Sequence, residues 1–532
     1  MPLVAYFSME YAIDNNMKTY AGGLGILAGD YMKGAKDHNF PIVGIGIKWK
    51  QGYTDQLVDD RGKPYDTYHN YTYDFLKDTS AEVSVTIRNV EVRCKVWKLD
   101  TFGTAPLYLL DTDIPENTEP WITGQLYGWF GEERIAQEMV LGIAGVRALR
   151  KLGIEVDVYH FNEGHALFAG FELIHEKMSV GASFEEAWRE SKEEIVFTTH
   201  TPVVQGNETH PIDRIMYMGA NLGLNSKQLR LLGGTPFNMT VGGLRLSRKS
   251  NAVAQLHGKT ANKMWRHISN RSEIIAITNA IHLPTWVDPK MISAAENGKP
   301  LMPLHQKNKQ KLIAFINKRN GIQLREDRLI IGFSRRVALY KRSNLIFTKP
   351  EVIEPLLKNQ KIQLVFSGKA HPLDDKGKEI VANLVAMSKI YPKSVVFLEN
   401  YDMEIGTLLT RGSDVWLNNP RRPMEASGTS GMKAAMNGVL NLSILDGWWP
   451  EVCDHGVNGW QFGNGFESDS DKKSDAHDLN ALYRVLLEEV LPSYYDTPQK
   501  WEEMMRNSIV STRHQFDIKR MLEEYFEKLY QK

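Results

Sequence analysis

The chain has 532 residues, too many for one hydrophobic core and enough for two or three domains. Lysine plus arginine and aspartate plus glutamate number 64 each, so net charge gives no reason to expect nonspecific binding to nucleic acid or acidic membranes, and any anion selectivity must be local. Hydrophobic residues are 42% and charged residues 24%, an ordinary soluble composition, and the only cysteines, Cys94 and Cys453, make neither a disulfide framework nor a zinc motif, so no metal is expected and a reducing cytoplasm is.

Residues 1–8 lack the basic region and apolar core of a signal peptide, and no run of about 20 apolar residues occurs, so no membrane span is expected. Residues 3–7 read as a first strand. The loop Ala21-Gly22-Gly23-Leu24-Gly25 follows, then a helix over 26–38 and a strand over 41–47. Residues 134–152 place Ile135, Met139, Ile143, Val146 and Leu149 on one helical face, and Gly153 stops the helix. Buried strands are expected at 156–161, 195–199 and 274–277. A polar, lysine-rich stretch at 297–311 separates two halves. The second half restarts with a strand at 329–333 and continues at 362–366, 395–398, 415–418 and 439–444, each spaced by helix-length segments. Strands alternating with helices predict an α/β protein with two parallel-sheet, Rossmann-like domains facing across a cleft, where strand carboxyl ends gather ligands. The expected boundaries are a first domain over 1–295, a linker over 296–325, a second domain over 326–510 and a C-terminal helix over 511–532.

Five motifs follow predicted strands. Gly22-Gly23-Leu24-Gly25 opens a helix, and its glycines let backbone N–H groups approach an anion; taken alone it is better read as a tight strand-to-helix turn. Thr199-His200-Thr201-Pro202 and Thr278-Asn279-Ala280-Ile281 offer polar side chains at strand ends. Arg335-Arg336-Val337-Ala338-Leu339-Tyr340-Lys341-Arg342 packs four cations into eight residues, a local positive site if it is not a solvated turn. Most informative is Glu425-Ala426-Ser427-Gly428-Thr429-Ser430-Gly431-Met432-Lys433. It sets a small-residue loop before a helix that carries a lysine, which is an anion cradle beside an amine. That pairing suits pyridoxal phosphate.

These motifs resemble, in order along the chain, those of the α-glucan phosphorylases. The family's cofactor segment reads Glu-Ala-Ser-Gly-Thr-Gly-Asn-Met-Lys, from which this chain departs only at Ser430 and Gly431. The resemblance implies a GT-B-type fold in which the C-terminal helix crosses back to the first domain. It implies pyridoxal 5'-phosphate as cofactor, joined to Lys433, with Gly428 and Thr429 at its phosphate and Lys369 and Tyr401 in its pocket. Glu425 and Ser427 would face the sugar. Arg336 and Lys341 would bind the substrate phosphate, with Tyr340 among the substrate-binding residues. Gly22 and Gly23 would offer backbone N–H groups, Leu24 would line the sugar pocket, and Asn279 would hold a glucose 6-hydroxyl. His200 would touch the glucose at the cleaved bond without shuttling a proton. Asn162-Glu163-Gly164-His165 matches more loosely and is equally a helix cap. Ala338-Leu339 replaces the family's His-Glu, and Trp448-Trp449 departs from the large enzymes after Asp446-Gly447.

The expected reaction is phosphorolysis: an α-1,4-glucan or maltodextrin plus inorganic phosphate gives a shortened chain and α-glucose 1-phosphate with retention. No pair of carboxylates with nucleophile spacing is evident. Two alternatives stay open: a nucleotide-sugar glucan synthase, which shares the fold but needs no cofactor lysine, and an inactive glucan-binding paralog. The chain is shorter than the large phosphorylases, so control by phosphorylation or nucleotide effectors is not expected. The oligomeric state, a homo-oligomer included, is left open.

Overall fold

The computed structural model describes residues 1–203 and 206–532. Two compact units emerge. Met1–Thr54, Tyr68–Asn279 and Ile518–Lys532 make the first, and Asp55–Thr67 with Ala280–Asp517 the second.

The first unit is built on a nine-stranded sheet. Its spatial order is Glu273–Ala276, Lys249–Ala252, Ile195–Thr198, Val158–Asn162, Val4–Phe7, Ile42–Ile47, Leu107–Asp111, Val90–Leu99 and Lys77–Ile87. The first seven strands run parallel. Val4–Phe7, Ile42–Ile47, Val158–Asn162 and Ile195–Thr198 are buried throughout. That is why they read as continuous apolar runs: helices cover both faces of a parallel sheet. The expectation of a purely parallel sheet fails at one edge, where Lys77–Ile87 and Val90–Leu99 form an antiparallel hairpin that joins Leu107–Asp111. Exposed and buried positions alternate there because one face meets solvent. Arg88 and Asn89 both take positive φ, 49° and 64°, in the two-residue turn such a hairpin needs, without a glycine to announce it.

The helix expected over 134–152 is interrupted. Glu132–Met139 and Gly145–Lys151 are α-helical, and Val140–Ala144 between them is a π turn. The interruption lies where the backbone is crowded. A side chain at Gly142 would begin 2.4 Å from the Ala169 nitrogen, and one at Gly145 2.7 Å from the Phe7 ring. In the C-terminal segment, Ile518–Glu524 packs on Gly23–Asp37, with Ile518 filling the space over Gly34. The buried His160 Nδ1 meets the Tyr530 hydroxyl at 2.7 Å, and Asn251 donates to the Tyr525 hydroxyl at 2.9 Å.

The second unit has six parallel strands in the order Val395–Leu398, Ile362–Ser367, Leu329–Ser334, Val415–Asn418, Leu440–Ile444 and Gly459–Phe462. Counted from Leu329–Ser334, this is the 3-2-1-4-5-6 order of a doubly wound dinucleotide-type fold.

Its beginning corrects the expected boundary and linker. Residues 280–295 belong to this unit: Met291, Ala294 and Ala295 of the helix Pro289–Glu296 enter its core, and Arg506 donates to the Ala294, Ala295 and Lys299 carbonyls. The lysine-rich stretch is no linker but part of the 19-residue helix Met302–Asn320. Its polar residues face inward for a reason. The buried carboxylate of Asp414 accepts from Lys309 Nζ at 2.7 Å, from His305 Nε2 at 2.9 Å and from the Ile330 N–H at 2.8 Å. Burial alone would raise the Asp414 carboxyl, but Lys309 and His305 hold it below its ordinary value. Lys309→Met leaves this carboxylate short of its main partner. The expected cost is about 3–5 kcal/mol, a fall on the order of 10 °C in melting temperature that calorimetry would detect; an unchanged transition would place Lys309 outside the core.

Among the described residues no helix is long and apolar enough to cross a membrane.

Candidate functional site

In each unit the strand order reverses beside the first strand, the place where a doubly wound sheet gathers ligands at its carboxyl ends. The second unit places there most of the residues singled out from sequence. Strand Leu329–Ser334 ends in the cation-rich turn, and strand Ile362–Ser367 ends in the loop that carries Lys369. The two loops are tied together: Arg335 N–H donates to the Ser367 carbonyl at 3.2 Å and Val337 N–H to the Lys369 carbonyl at 2.9 Å.

Across the reversal, Glu425 comes to the same place. Its buried carboxylate accepts from Lys341 Nζ at 2.9 and 2.7 Å and pairs with Arg335 Nη2 at 2.5 Å. Arg335 also donates to Asn418 Oδ1 at the end of the next strand. Burial would raise the Glu425 carboxyl, but Arg335 and Lys341 outweigh it and hold the group down to about 2. Two cations on one carboxylate leave one positive charge over, and Arg336, exposed in the same turn, supplies another. For Tyr340, burial acts upward, yet Lys341 and Arg336 bring its hydroxyl below the ordinary value. The turn is therefore a built cationic site. Arg335, passed over in the sequence for its neighbour Arg336, is the arginine that meets Glu425. Nothing in the sequence separates the two, since both lie past the end of the strand Leu329–Ser334.

Asp446 positions the loop from beneath. It is fully buried, and its oxygens accept the Glu425 N–H at 2.9 Å and the Gly447 N–H at 2.8 Å. Burial lifts its carboxyl to about 8, with the Glu425 charge adding to the rise against those two hydrogen bonds. The Ser427 carbonyl accepts the Trp448 N–H at 3.0 Å.

From this support the loop turns at Gly428, φ +86°, into the helix Thr429–Met436. A residue with a side chain is strained there, and the space its Cβ would take lies 3.4 Å from Arg335 Nη2. One of the two departures from the family segment, Gly431, has a local cause. A side chain at 431 would start 2.7 Å from Asn441 Oδ1 and 2.9 Å from Trp448 Nε1. The Asn441 amide and the Trp448 indole occupy the room a side chain at 431 would need.

Lys433 lies one turn into that helix, buried, with Nζ 3.4 Å from the centroid of the Trp286 ring. Tyr401 packs against the cluster that contains Ala434 and Ile405, and a side chain at Gly406 would strike its hydroxyl at 2.4 Å. The donor set fits pyridoxal phosphate. An amine, a helix start at a glycine and Arg335 converge, and the buried hydroxyls of Ser334 and Ser427 have no hydrogen-bond partner.

The first unit gathers the remaining residues at its own carboxyl ends. Glu10, just past Val4–Phe7, accepts the Ala21 and Gly22 N–H groups at 2.6 and 3.0 Å. The Gly22 N–H is thus already committed. The helix begins at Gly23, which is exposed with open space about it. First-turn N–H groups have no partner within their helix, so Gly23 and Leu24 are the better-placed donors.

His200 donates its N–H to Glu163 Oε2 at 2.7 Å, and its Nε2 meets Asn162 Oδ1 at 2.6 Å. Burial lowers its imidazole to about 3. The ring is therefore neutral and fixed in orientation. Glu163 caps the turn Gly164–Ala166 by accepting from Gly164 N–H, so the cap reading of that segment stands, and it orients His200 as well. Asn279 is buried with Oδ1 lacking any hydrogen-bond partner, an acceptor left for something else.

Residues 288–491 match the family described as carbohydrate phosphorylase. The chain is 38% identical to a maltodextrin phosphorylase of Thermococcus litoralis, over 99% of this chain and 70% of that protein. It is 34% identical to a glycogen phosphorylase of Aquifex aeolicus, over 99% and 86% respectively. An uncharacterized protein of Methanocaldococcus jannaschii is 39% identical over the full length of both. With relatives this similar along nearly its whole length, the chain belongs to the α-glucan phosphorylase family.

Proposed function

We propose that this protein is a pyridoxal-phosphate-dependent α-1,4-glucan phosphorylase of GT-B type, which transfers a terminal glucosyl unit to inorganic phosphate and releases α-glucose 1-phosphate with retention. The observation that carries the proposal is the convergence, at one strand-order reversal, of buried Lys433, the Gly428 helix start and the Glu425–Arg335–Lys341 cluster. A nucleotide-sugar synthase would leave Lys433 unexplained, and the named relatives do not favour it or an inactive paralog.

Lys433 would hold the cofactor, with Gly428, Thr429 and Arg335 at its phosphate and Lys369 and Tyr401 about it. When bound, pyridoxal phosphate supplies a phosphate whose second pKa, about 6, lets it hold and return a proton near neutral pH. Arg336 and Lys341 would hold inorganic phosphate. Their charge offsets the repulsion between two neighbouring anions and favours the transition state over separated reactants. Glu425, ionised at any physiological pH, can only accept hydrogen bonds, which suits a sugar hydroxyl. Ser427 and Asn279 would add hydrogen bonds to the sugar, and Gly23 and Leu24 would close on it. His200, neutral at pH 7 and pinned by Asn162, would contact the glucose without moving a proton. The resemblance implies that both units serve one substrate, and the cytoplasm is the proposed location.

The activity itself is tested by measuring glucose 1-phosphate release from a malto-oligosaccharide and inorganic phosphate; no release by the cofactor-loaded protein would sink the proposal. Arg336→Ala separates the roles within it. Losing one charged hydrogen bond to phosphate corresponds to a rise of about 10- to 100-fold in KM for phosphate, with KM for glucan nearly unchanged. Equal losses in both would remove Arg336 from the phosphate site.

A further inference from the structure

We propose that the first unit binds a divalent first-row metal ion between Glu138, Glu208 and His210, with His165 as a fourth donor. Glu138 lies on the helix Glu132–Met139, His210 in the short strand Thr209–His210 with Glu208 just before it, and His165 in the turn Gly164–Ala166. One donor atom from each of the first three lies within 4.8 Å of the others. His210 Nε2 is 2.9 Å from Glu138 Oε2 and 3.9 Å from Glu208 Oε1, and His165 Nε2 is 3.8 Å from Glu208 Oε2. Ligand atoms around a tetrahedral zinc at about 2.0 Å stand about 3.3 Å apart, so small side-chain rotations close the set.

A second observation points to a ligand. Glu138 is completely buried, yet among the described residues its Oε1 has no hydrogen-bond partner, and neither has His165 Nδ1. A buried carboxylate oxygen without a donor is costly to keep. The nearby charges do not remedy this. Arg134 reaches only Glu208, at 3.2 and 3.3 Å, and also donates to the Trp129 carbonyl. Two carboxylates, Glu138 and Glu208, thus face Arg134 and His210. His210 reaches Glu138 through Oε2, at 2.9 Å, which leaves Oε1 for a cation. A divalent ion would supply that cation.

Two carboxylates and imidazoles without a thiolate suit zinc, manganese or cobalt(II) better than the all-oxygen ions calcium and magnesium, or copper(I). The ion would be structural. Glu163, which orients His200, lies two residues before His165, so the metal would fasten the helix Glu132–Met139 behind that loop. Glu138 and His210 stand 72 residues apart, so no ligand spacing appears in the sequence.

The test uses the full-length protein stripped with a chelator and titrated with Zn²⁺ by calorimetry. Wild type should bind one equivalent and release protons. Glu138→Gln and His210→Asn should each weaken binding at least tenfold, with His477→Ala, an exposed histidine, as an unchanged control. No stoichiometric binding by wild type, or wild-type affinity in both folded variants, overturns the proposal. Should the variants unfold by circular dichroism, the wild type decides alone. Co²⁺ should give the d–d absorption of a tetrahedral nitrogen–oxygen site, displaced by one equivalent of Zn²⁺, and its absence overturns the proposal equally.

Discussion

Lys433→Ala is expected to lower glucose 1-phosphate release on the order of 10³-fold or more, the scale seen when one member of an interdependent catalytic set is removed. The argument rests on where the lysine sits. It is buried one turn past Gly428, beside Trp286, with Arg335 at the start of the same helix. A surface lysine in this position would be dispensable; an enclosed amine among cations has to be offset by a bound group or a partner. Two readouts accompany the rate. The variant should keep its circular dichroism, which separates loss of the amine from loss of the fold. It should also lose cofactor absorbance after dialysis, while wild type retains it. Residual release near the wild-type rate, with absorbance gone, would separate catalysis from the cofactor and overturn the proposed role.

Glu425→Ala should do damage of a different kind. Glu425 is the shared partner of Arg335 and Lys341, and all three side chains are buried. Removing it strands two cations in the interior, and breaking a buried pair in this way costs about 3–5 kcal/mol. Denaturant unfolding should show that loss together with the loss of turnover. Glu425→Gln should recover part of the stability, since its carbonyl still accepts one hydrogen bond, but not the activity.

The same carboxylate predicts a pH dependence. Its folded value, about 2, lies below its ordinary 4.5, so the folded state favours the ionised form. That contribution is fully present above about 4.5 and is lost as pH falls through 2. Asp446 acts in the opposite sense. Its folded value, about 8, lies above its ordinary 3.8, so its contribution is fully present below about 3.8 and is lost as pH rises through 8. Unfolding curves for wild type and Glu425→Ala should therefore converge toward pH 2, and a constant gap down to that pH would refute the assignment.

The parts of this protein that its sequence determined by itself are those encoded in neighbouring residues. The buried strands of both sheets are contiguous apolar runs, such as 329–333 and 415–418, because parallel strands covered on both faces need no alternation. The cofactor-type loop is likewise a contiguous segment, since a helix start, its glycine and a lysine one turn later are fixed by local spacing. The hairpin at Arg88-Asn89 was hidden because its turn lacks the usual glycine, and the π turn at Val140–Ala144 because crowding from Ala169 and Phe7 lies outside the segment.

Tertiary structure decided the rest, through contacts between residues far apart in the chain. Lys309 looks like linker polarity until Asp414, 105 residues on, is placed against it. Arg335 and Arg336 are indistinguishable until Glu425 chooses one of them. Gly431 is an unexplained departure until Trp448 fills its space, and Glu138 is an ordinary helix residue until His210 arrives. In each case a charge or a volume is balanced by a partner that only folding brings near. Sequence periodicity records which face of an element is buried, but not which side chain meets it there.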